Sequence, residues 1–278
     1  MSTIHAILIA ILQGATELFP VSSLGHAVLL PSVVNWAIDQ RSPEFLPFLV
    51  LLHLGTAVAL LGYFWRDWVA LATGVLGLTN AHRTRESRRV FLLLVIATIP
   101  AVVVGFTLEH FVRGLFGSAL VAAIFLAVNG VMLLVGERIR ARLTPGARPI
   151  ATMTATDAVV IGLWQCLALI PGISRSGATI IGGLLRGLDH AGAAHFSFLI
   201  ATPIIIGATV LEVPKLLHES VPQGVFGTAA VAAVVAGVTA LLSTAFLMRY
   251  FRDHDRMSLV PFGIYCIVAG LLGVALVW

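Results

Sequence analysis

Two apolar stretches of this chain are each interrupted by a polar, helix-breaking turn, and no other feature constrains the fold as tightly. The first runs from Thr3 to Leu18, breaks at Phe19-Pro20-Val21-Ser22-Ser23 and resumes over Leu24–Val34. The second runs from Thr156 to Ile170, breaks at Pro171-Gly172-Ile173-Ser174-Arg175-Ser176-Gly177 and resumes over Ala178–Leu188. Each half is shorter than the roughly 20 residues that a helix needs to cross about 30 Å of hydrocarbon. Pro, Gly and Ser end helices and leave backbone groups without partners. At membrane depth such backbone survives only inside protein or beside a water-filled cavity. The two stretches are therefore expected to be re-entrant helical hairpins. Four tilted full spans are the competing reading.

Six further apolar segments are long enough to span: near Glu44–Trp65, Val90–Leu108, Leu115–Gly136, Ala191–Val213, Gly224–Met248 and Ser258–Trp278. Hydrophobic residues make up 59% of the 278 and charged residues 11%. A soluble domain carries about a quarter charged residues, so this chain lacks the polar surface to face water all round. The expected class is an all-α polytopic membrane protein forming a single membrane domain over residues 1–278. The formal charge of +4 rests on sixteen Arg and the lone Lys215 against 13 acids. Most of the Arg flank apolar spans and none forms a basic stripe interleaved with aromatics, which speaks against nucleic acid as a partner. Cys166 and Cys266 lie in apolar stretches and suggest no disulfide framework. No Lys or Arg precedes the first apolar run, so it does not read as a cleaved signal peptide.

The two broken stretches match each other. A displacement of 152 residues carries Gln13 onto Gln165, Ser22 onto Ser174 and Gly25 onto Gly177, and further along Gly55 onto Gly207. The order hairpin, span, span, span occurs twice. The reading is an internal duplication, with repeat one over about 1–137 and repeat two over about 156–278. With the Arg66–Arg89 loop placed in the cytoplasm, thirteen Arg fall on that face, and only Arg41, Arg113 and Lys215 on the other. The positive-inside rule favours this orientation. Each half then crosses three times, so the repeats are inverted, both termini lie outside, and the hairpin tips enter from opposite faces to meet near the midplane.

Ionisable groups inside a bilayer are costly and mark function. The first break brings Glu17, Ser22, Ser23 and His26, with Gln13 one helical turn before Glu17. The second brings Ser174, Arg175, Ser176 and Thr179. Free N–H groups at helix starts bind anions, and a guanidinium fork suits phosphate. Together they describe an oxyanion site suited to phosphoryl transfer, in which donors hold the charged oxygens and a hydroxyl or water attacks. Glu17 is a candidate base or metal ligand, and His26 a candidate acid, base or nucleophile. Mid-span His53 reads as a helix–helix hydrogen bond, and Gly55, Gly130 and Gly207 as helix contacts.

At these residues the chain resembles a known family. Gln13-Gly-Ala-Thr-Glu17-Leu-Phe-Pro20-Val-Ser22-Ser23-Leu-Gly25-His26 is similar to the (E/Q)xxxE…PxSSxGH signature of the bacterial undecaprenyl-pyrophosphate phosphatases of the bacitracin-resistance type. Pro171-Gly-Ile-Ser174-Arg175-Ser176-Gly177-Ala-Thr179 matches that family's PGxSRSGAT, and Phe196-Ser197-Phe198-Leu199 to Pro203 its FSFLxxxP. The resemblance implies removal of the terminal phosphate from a C55 polyprenyl pyrophosphate lipid, which recycles the carrier for cell-wall synthesis. It further implies an inner-membrane location, a site open to the outer face, dependence on Mg²⁺ or Ca²⁺, and a homodimer. It places functional roles on Gln13, Glu17, Ser23, His26, Ser174, Arg175 and Thr179, with Ser22 and Ser176 as phosphate contacts. The family pattern allows Gln13 in place of a first acid. That leaves Glu17 as the lone site carboxylate and weakens a metal site built from two carboxylates. Leu24 stands where the family often carries a hydroxyl. Ser23, His26 and water all remain candidate nucleophiles. A separate function class also fits inverted broken helices: a transporter or flippase of an anionic, polyprenyl-phosphate substrate.

Overall fold

The computed structural model describes residues 2–34, 36, 45–108, 114–115, 118–143, 148–218 and 223–278. Side chains of 46, 47 and 211–226 lie outside that description. Arg41 and Arg113 also fall outside the described residues.

Eleven α-helices carry the described fold, and no strand occurs among the described residues. They are α1 Thr3–Thr16, α2 Ser23–Val33, α3 Phe45–Tyr63, α4 Trp65–Val75, α5 Ala81–Thr107 and α6 Ala119–Arg140, followed by α7 Ala155–Cys166, α8 Arg175–Leu185, α9 His190–His218, α10 Gln223–Asp253 and α11 Val260–Val277. A short 3₁₀ turn, Leu167–Leu169, ends α7. Five helices (α5, α6, α9, α10 and α11) are long and apolar enough to cross a membrane. The outward faces of these helices are apolar, with Phe106, Val234 and Leu276 about two-thirds or more exposed. Contiguous exposure of that kind is what a lipid-facing surface requires. The chain is a multi-pass membrane protein.

The two broken stretches form two pairs of short helices. At 1.5 Å per residue, the 14 residues of α1 reach only about 21 Å. Ser2 caps α1 by accepting from the His5 N–H, and Thr154 and Asp157 close a reciprocal capping box on α7. Each second helix opens on a serine cap: Ser22 accepts from the Gly25 N–H at 3.2 Å, and Ser174 from the Gly177 N–H at 3.1 Å. The displacement of 152 residues carries the first residue of α1 onto the first of α7, and both ends of α2 onto both ends of α8.

Packing ties the two ends of the chain together. α1 lies along α10, and α7 lies along α5, while α3 packs against both α9 and α10. The closest seam joins α6 to α11. There Gly130 and Gly263 bring two backbones together, and a Cβ on Gly270 would stand 2.5 Å from the Ala127 nitrogen. Gly55 likewise abuts the Ala233 carbonyl of α10, whereas among the described residues nothing lies within 4 Å of a Cβ placed on Gly207, so the expected helix contact is not seen there. Two boundaries differ from the sequence reading. The segment after Tyr63 is not all loop: α4 forms there, bent 73° from α3. α5 begins at Ala81, nine residues before the apolar run, because Arg and Glu are good helix formers and extend the span into polar surroundings.

Candidate active site at two broken helix pairs

The turns between α1 and α2 and between α7 and α8 meet in the interior. The Phe19 carbonyl accepts from Ser176 Oγ at 3.0 Å and Ser174 Oγ at 3.3 Å. Gly172, at φ +99°, folds the second turn flat against the Ala122 carbonyl of α6 and the Gly25 backbone of α2. Ser22 adopts φ 68°, an uncommon conformation for a non-glycine residue. Its carbonyl accepts from His26 Nδ1 at 2.7 Å.

Glu17 is the centre of the site. It is 7% exposed and surrounded by donors. Its Oε2 accepts from Ser23 Oγ at 2.5 Å and Gln13 Nε2 at 2.9 Å, and lies 3.3 Å from His53 Nε2. Its Oε1 lies 3.3 Å from Arg175 NH2. The Gln13–Glu17 bond is the one-turn contact that the sequence spacing anticipates. Arg175 also donates to the Ser197 carbonyl at 3.3 Å, and Ser197 Oγ pairs with Thr179 Oγ1 at 2.6 Å.

A cavity of about 280 Å³ opens over this network. Its polar lining is Glu17, Ser22, Ser23, His53, Gln165, Ser174, Arg175 and Thr209. Leu49, Ala101, Leu169, Ile204 and Ile205 are among its apolar lining. Such a cavity suits a ligand with an anionic head and an apolar tail. Of the residues singled out from the sequence, five line it: Glu17, Ser22, Ser23, Ser174 and Arg175. Gln13, Ser176 and Thr179 stand behind these as hydrogen-bond partners. His26 does not line it. Because its Nδ1 must carry the proton donated to Ser22, Nε2 of the neutral ring accepts from Tyr265 OH at 2.8 Å.

Sequence reasoning missed three members. His53 makes the helix–helix contact that its mid-span position suggested, but its partner is Glu17, which brings it into this network. Its Nδ1 donates to Leu49 O at 2.7 Å, which turns Nε2 toward Glu17. Asn129 on α6 and Tyr265 on α11 each bond to a tip residue. A lone polar residue inside an apolar span was the available signal for Asn129.

The residues present do not fit a directly held divalent cation. Donors occupy both oxygens of Glu17, and among the described residues no three His, Cys, Asp or Glu side chains stand together as ligands.

The fold and this site define a class: a polytopic membrane protein with a buried polar site built from broken helices. The family model described as bacitracin resistance protein BacA matches residues 6–272. The chain belongs to that family. It is 64% identical to an undecaprenyl-diphosphatase of Granulibacter bethesdensis, over 98% of this chain and 95% of that relative. It is 56% identical to an undecaprenyl-diphosphatase of Acidiphilium cryptum, over 100% and 99% of the two chains. An undecaprenyl-diphosphatase 2 of Chromobacterium violaceum is 46% identical, with 98% of each chain covered.

Proposed function

We propose that this protein hydrolyses the terminal phosphate of undecaprenyl diphosphate, giving undecaprenyl phosphate and inorganic phosphate. One observation carries the reading: a buried carboxylate that accepts from a serine hydroxyl is paired with an arginine of the opposing tip, at a cavity lined by these groups and by apolar side chains. The activity would renew the carrier lipid for cell-wall synthesis and confer bacitracin resistance, as membership of the BacA family supports.

In the mechanism, the diphosphate displaces Arg175 from Glu17 and takes the guanidinium as its own partner. Glu17, freed of its counter-charge, accepts the Ser23 proton as Oγ attacks the terminal phosphorus. The bond from phosphorus to the bridging oxygen breaks, and the lipid monophosphate leaves with the charge on that oxygen. Glu17 releases that proton to solvent, takes another from the water that attacks the phosphoserine, and returns it to Ser23 Oγ as phosphate departs. Thr179 and Ser197 hold the Arg175 turn, and Gln13 holds the Glu17 carboxylate. A divalent cation would arrive on the diphosphate rather than on protein ligands.

The remaining finer features belong to the same proposal. The chain sits in the bacterial inner membrane with both termini outside, the site opens outward, and the protein is a homodimer. Two inverted repeats meet at the tips, a reading supported by the coincident ends of α2 and α8 and by the exchange of partners between α1–α10 and α7–α5. The decisive assay is phosphate release from a polyprenyl diphosphate by the detergent-purified protein. A transporter or flippase would bind the lipid and release none.

A further inference from the structure

Within the tips, Ser23 and Arg175 are linked through Glu17, but the Glu17–Arg175 ion pair is the contact that a diphosphate would part. The other direct contacts between tips run through the Phe19 carbonyl with two serine hydroxyls and through Gly25 against Gly172, all on short, broken elements. A third element supplies the missing reference. Asn129 lies mid-way along α6 and is fully buried. Its Nδ2 donates to the Pro20 carbonyl of the first tip at 3.0 Å. Its Oδ1 accepts from the Ser174 N–H of the second tip at 3.0 Å. Reversing the amide would set oxygen against carbonyl oxygen and N–H against N–H, so the partners fix its orientation. Pro20 lies three residues before Ser23, and Ser174 directly precedes Arg175.

α6 is well placed to act as a reference. Gly130, the next residue, sits in the glycine seam with α11, and Cys266 of α11 adds a thiol within 3.4 Å of the same Asn129 nitrogen. Among the described residues, no other side chain outside the tips bonds to the backbone of both.

We infer that Asn129 is a positioning residue: it gauges the distance between the Ser23–Glu17 attack machinery on one tip and the Arg175 clamp on the other. The inference rests on the phosphatase reading above. An ordinary buried asparagine would only strengthen helix packing. A gauge does something else, because misplacement of about 1 Å between reacting groups can cost about a hundredfold in rate.

The test separates the two roles. N129L should elute as a folded species and lower kcat by about 10- to 100-fold, with KM within about threefold of the parent. Geometry between the tips is read without activity by a second pair of variants. A Cβ on Gly177 would lie 3.3 Å from Pro20 Cβ, close to the 3.5–4.5 Å span of a disulfide. P20C/G177C should therefore lose two maleimide-reactive thiols quickly under mild oxidation when residue 129 is Asn, and several-fold more slowly in N129L. Oxidised P20C/G177C/N129L should recover at least tenfold in kcat over its reduced form, because the covalent tie replaces the lost gauge. If N129L aggregates, the smaller N129S carries the same comparison. Equal thiol closure in the two backgrounds, or unchanged kcat in N129L, overturns the inference. Thiol closure decides it even if the parent protein releases no phosphate, a result that would sink the phosphatase reading alone.

Discussion

Replacing Glu17 with Gln removes one charge and keeps the shape of the side chain. In the present geometry Ser23 Oγ lies 2.5 Å from Glu17 Oε2, within direct proton-transfer reach. An amide does not accept that proton. A general base in this position contributes typically about 10²- to 10⁴-fold, which is roughly 2.7–5.4 kcal/mol at about 1.36 kcal/mol per decade. The loss should appear in kcat. KM should hold or fall, because Arg175 now meets a neutral group at the end where Oε1 stood and is freer to take the diphosphate. E17A is the harsher comparison. It leaves Arg175 and the Ser23 and Gln13 donors unpaired, and breaking a buried pair typically costs about 3–5 kcal/mol of stability. The assay is steady-state phosphate release from a polyprenyl diphosphate in detergent, run beside a thermal melt of each variant. Turnover by E17Q above a tenth of the parent value, with normal folding, would refute the assignment of Glu17 as base.

The remaining predictions concern other parts of the molecule. Ser23→Ala should abolish phosphate release without loss of the folded species; near-normal release would transfer the attack to water. G55V should lower the melting temperature by the equivalent of about 1–3 kcal/mol, since its side chain would run into the Ala233 carbonyl of α10. At the Arg-rich end, burial disfavours the Asp255 anion, but hydrogen bonds from His190 and Arg140 overcome this and hold its carboxyl lowered to about 2. That stability is present above the ordinary carboxylate range and is lost as pH falls toward 2. The melting-temperature gap between the parent and D255N should therefore be full at pH 6 and narrow by pH 3. It should be small, because the Asp255 side chain is half exposed and the pair is screened. Chelation of divalent cations should raise KM for the diphosphate while leaving the melting temperature of the lipid-free protein unchanged; a chelator-induced drop in stability would point to an ion held by the protein.

Much of the site was legible because the code for it is local. Pro20, Pro171 and Gly172 stand beside serines at the two breaks, and serine caps with their glycine partners repeat in both tips. Gln13 and Glu17 meet because one helical turn separates them. The apolar length of the spans follows from hydrocarbon thickness. What the sequence hid is non-local. His53 joins the site because its Nδ1 is spent on the Leu49 carbonyl, which aims the other nitrogen at Glu17 across a helix interface. His26 lies three residues from Ser23 in the chain, yet Tyr265, 239 residues away, takes its second nitrogen. The bend before α4 is equally hidden, since its apolar residues read as a span end followed by a charged loop. Hydropathy measures how much of a helix prefers lipid; it carries no information on where the helix turns along the surface or which partner a lone polar residue will meet.

The packing of α1 and α3 on α10 has a consequence for the making of the protein. A growing chain inserts α1 and α2 first, yet α10, the helix against which α1 lies, emerges some 200 residues later. Glu17 lacks Arg175 until the second tip has been made, and the Pro20 carbonyl can reach Asn129 only once α6 has entered. The site is thus a late product of biosynthesis, closed by the second half of the chain. A protein truncated after α6 would carry the serine and the glutamate but no clamp, and would leave the polar groups of the first tip without their partners in the second. The site is complete only when both halves of the chain have been made.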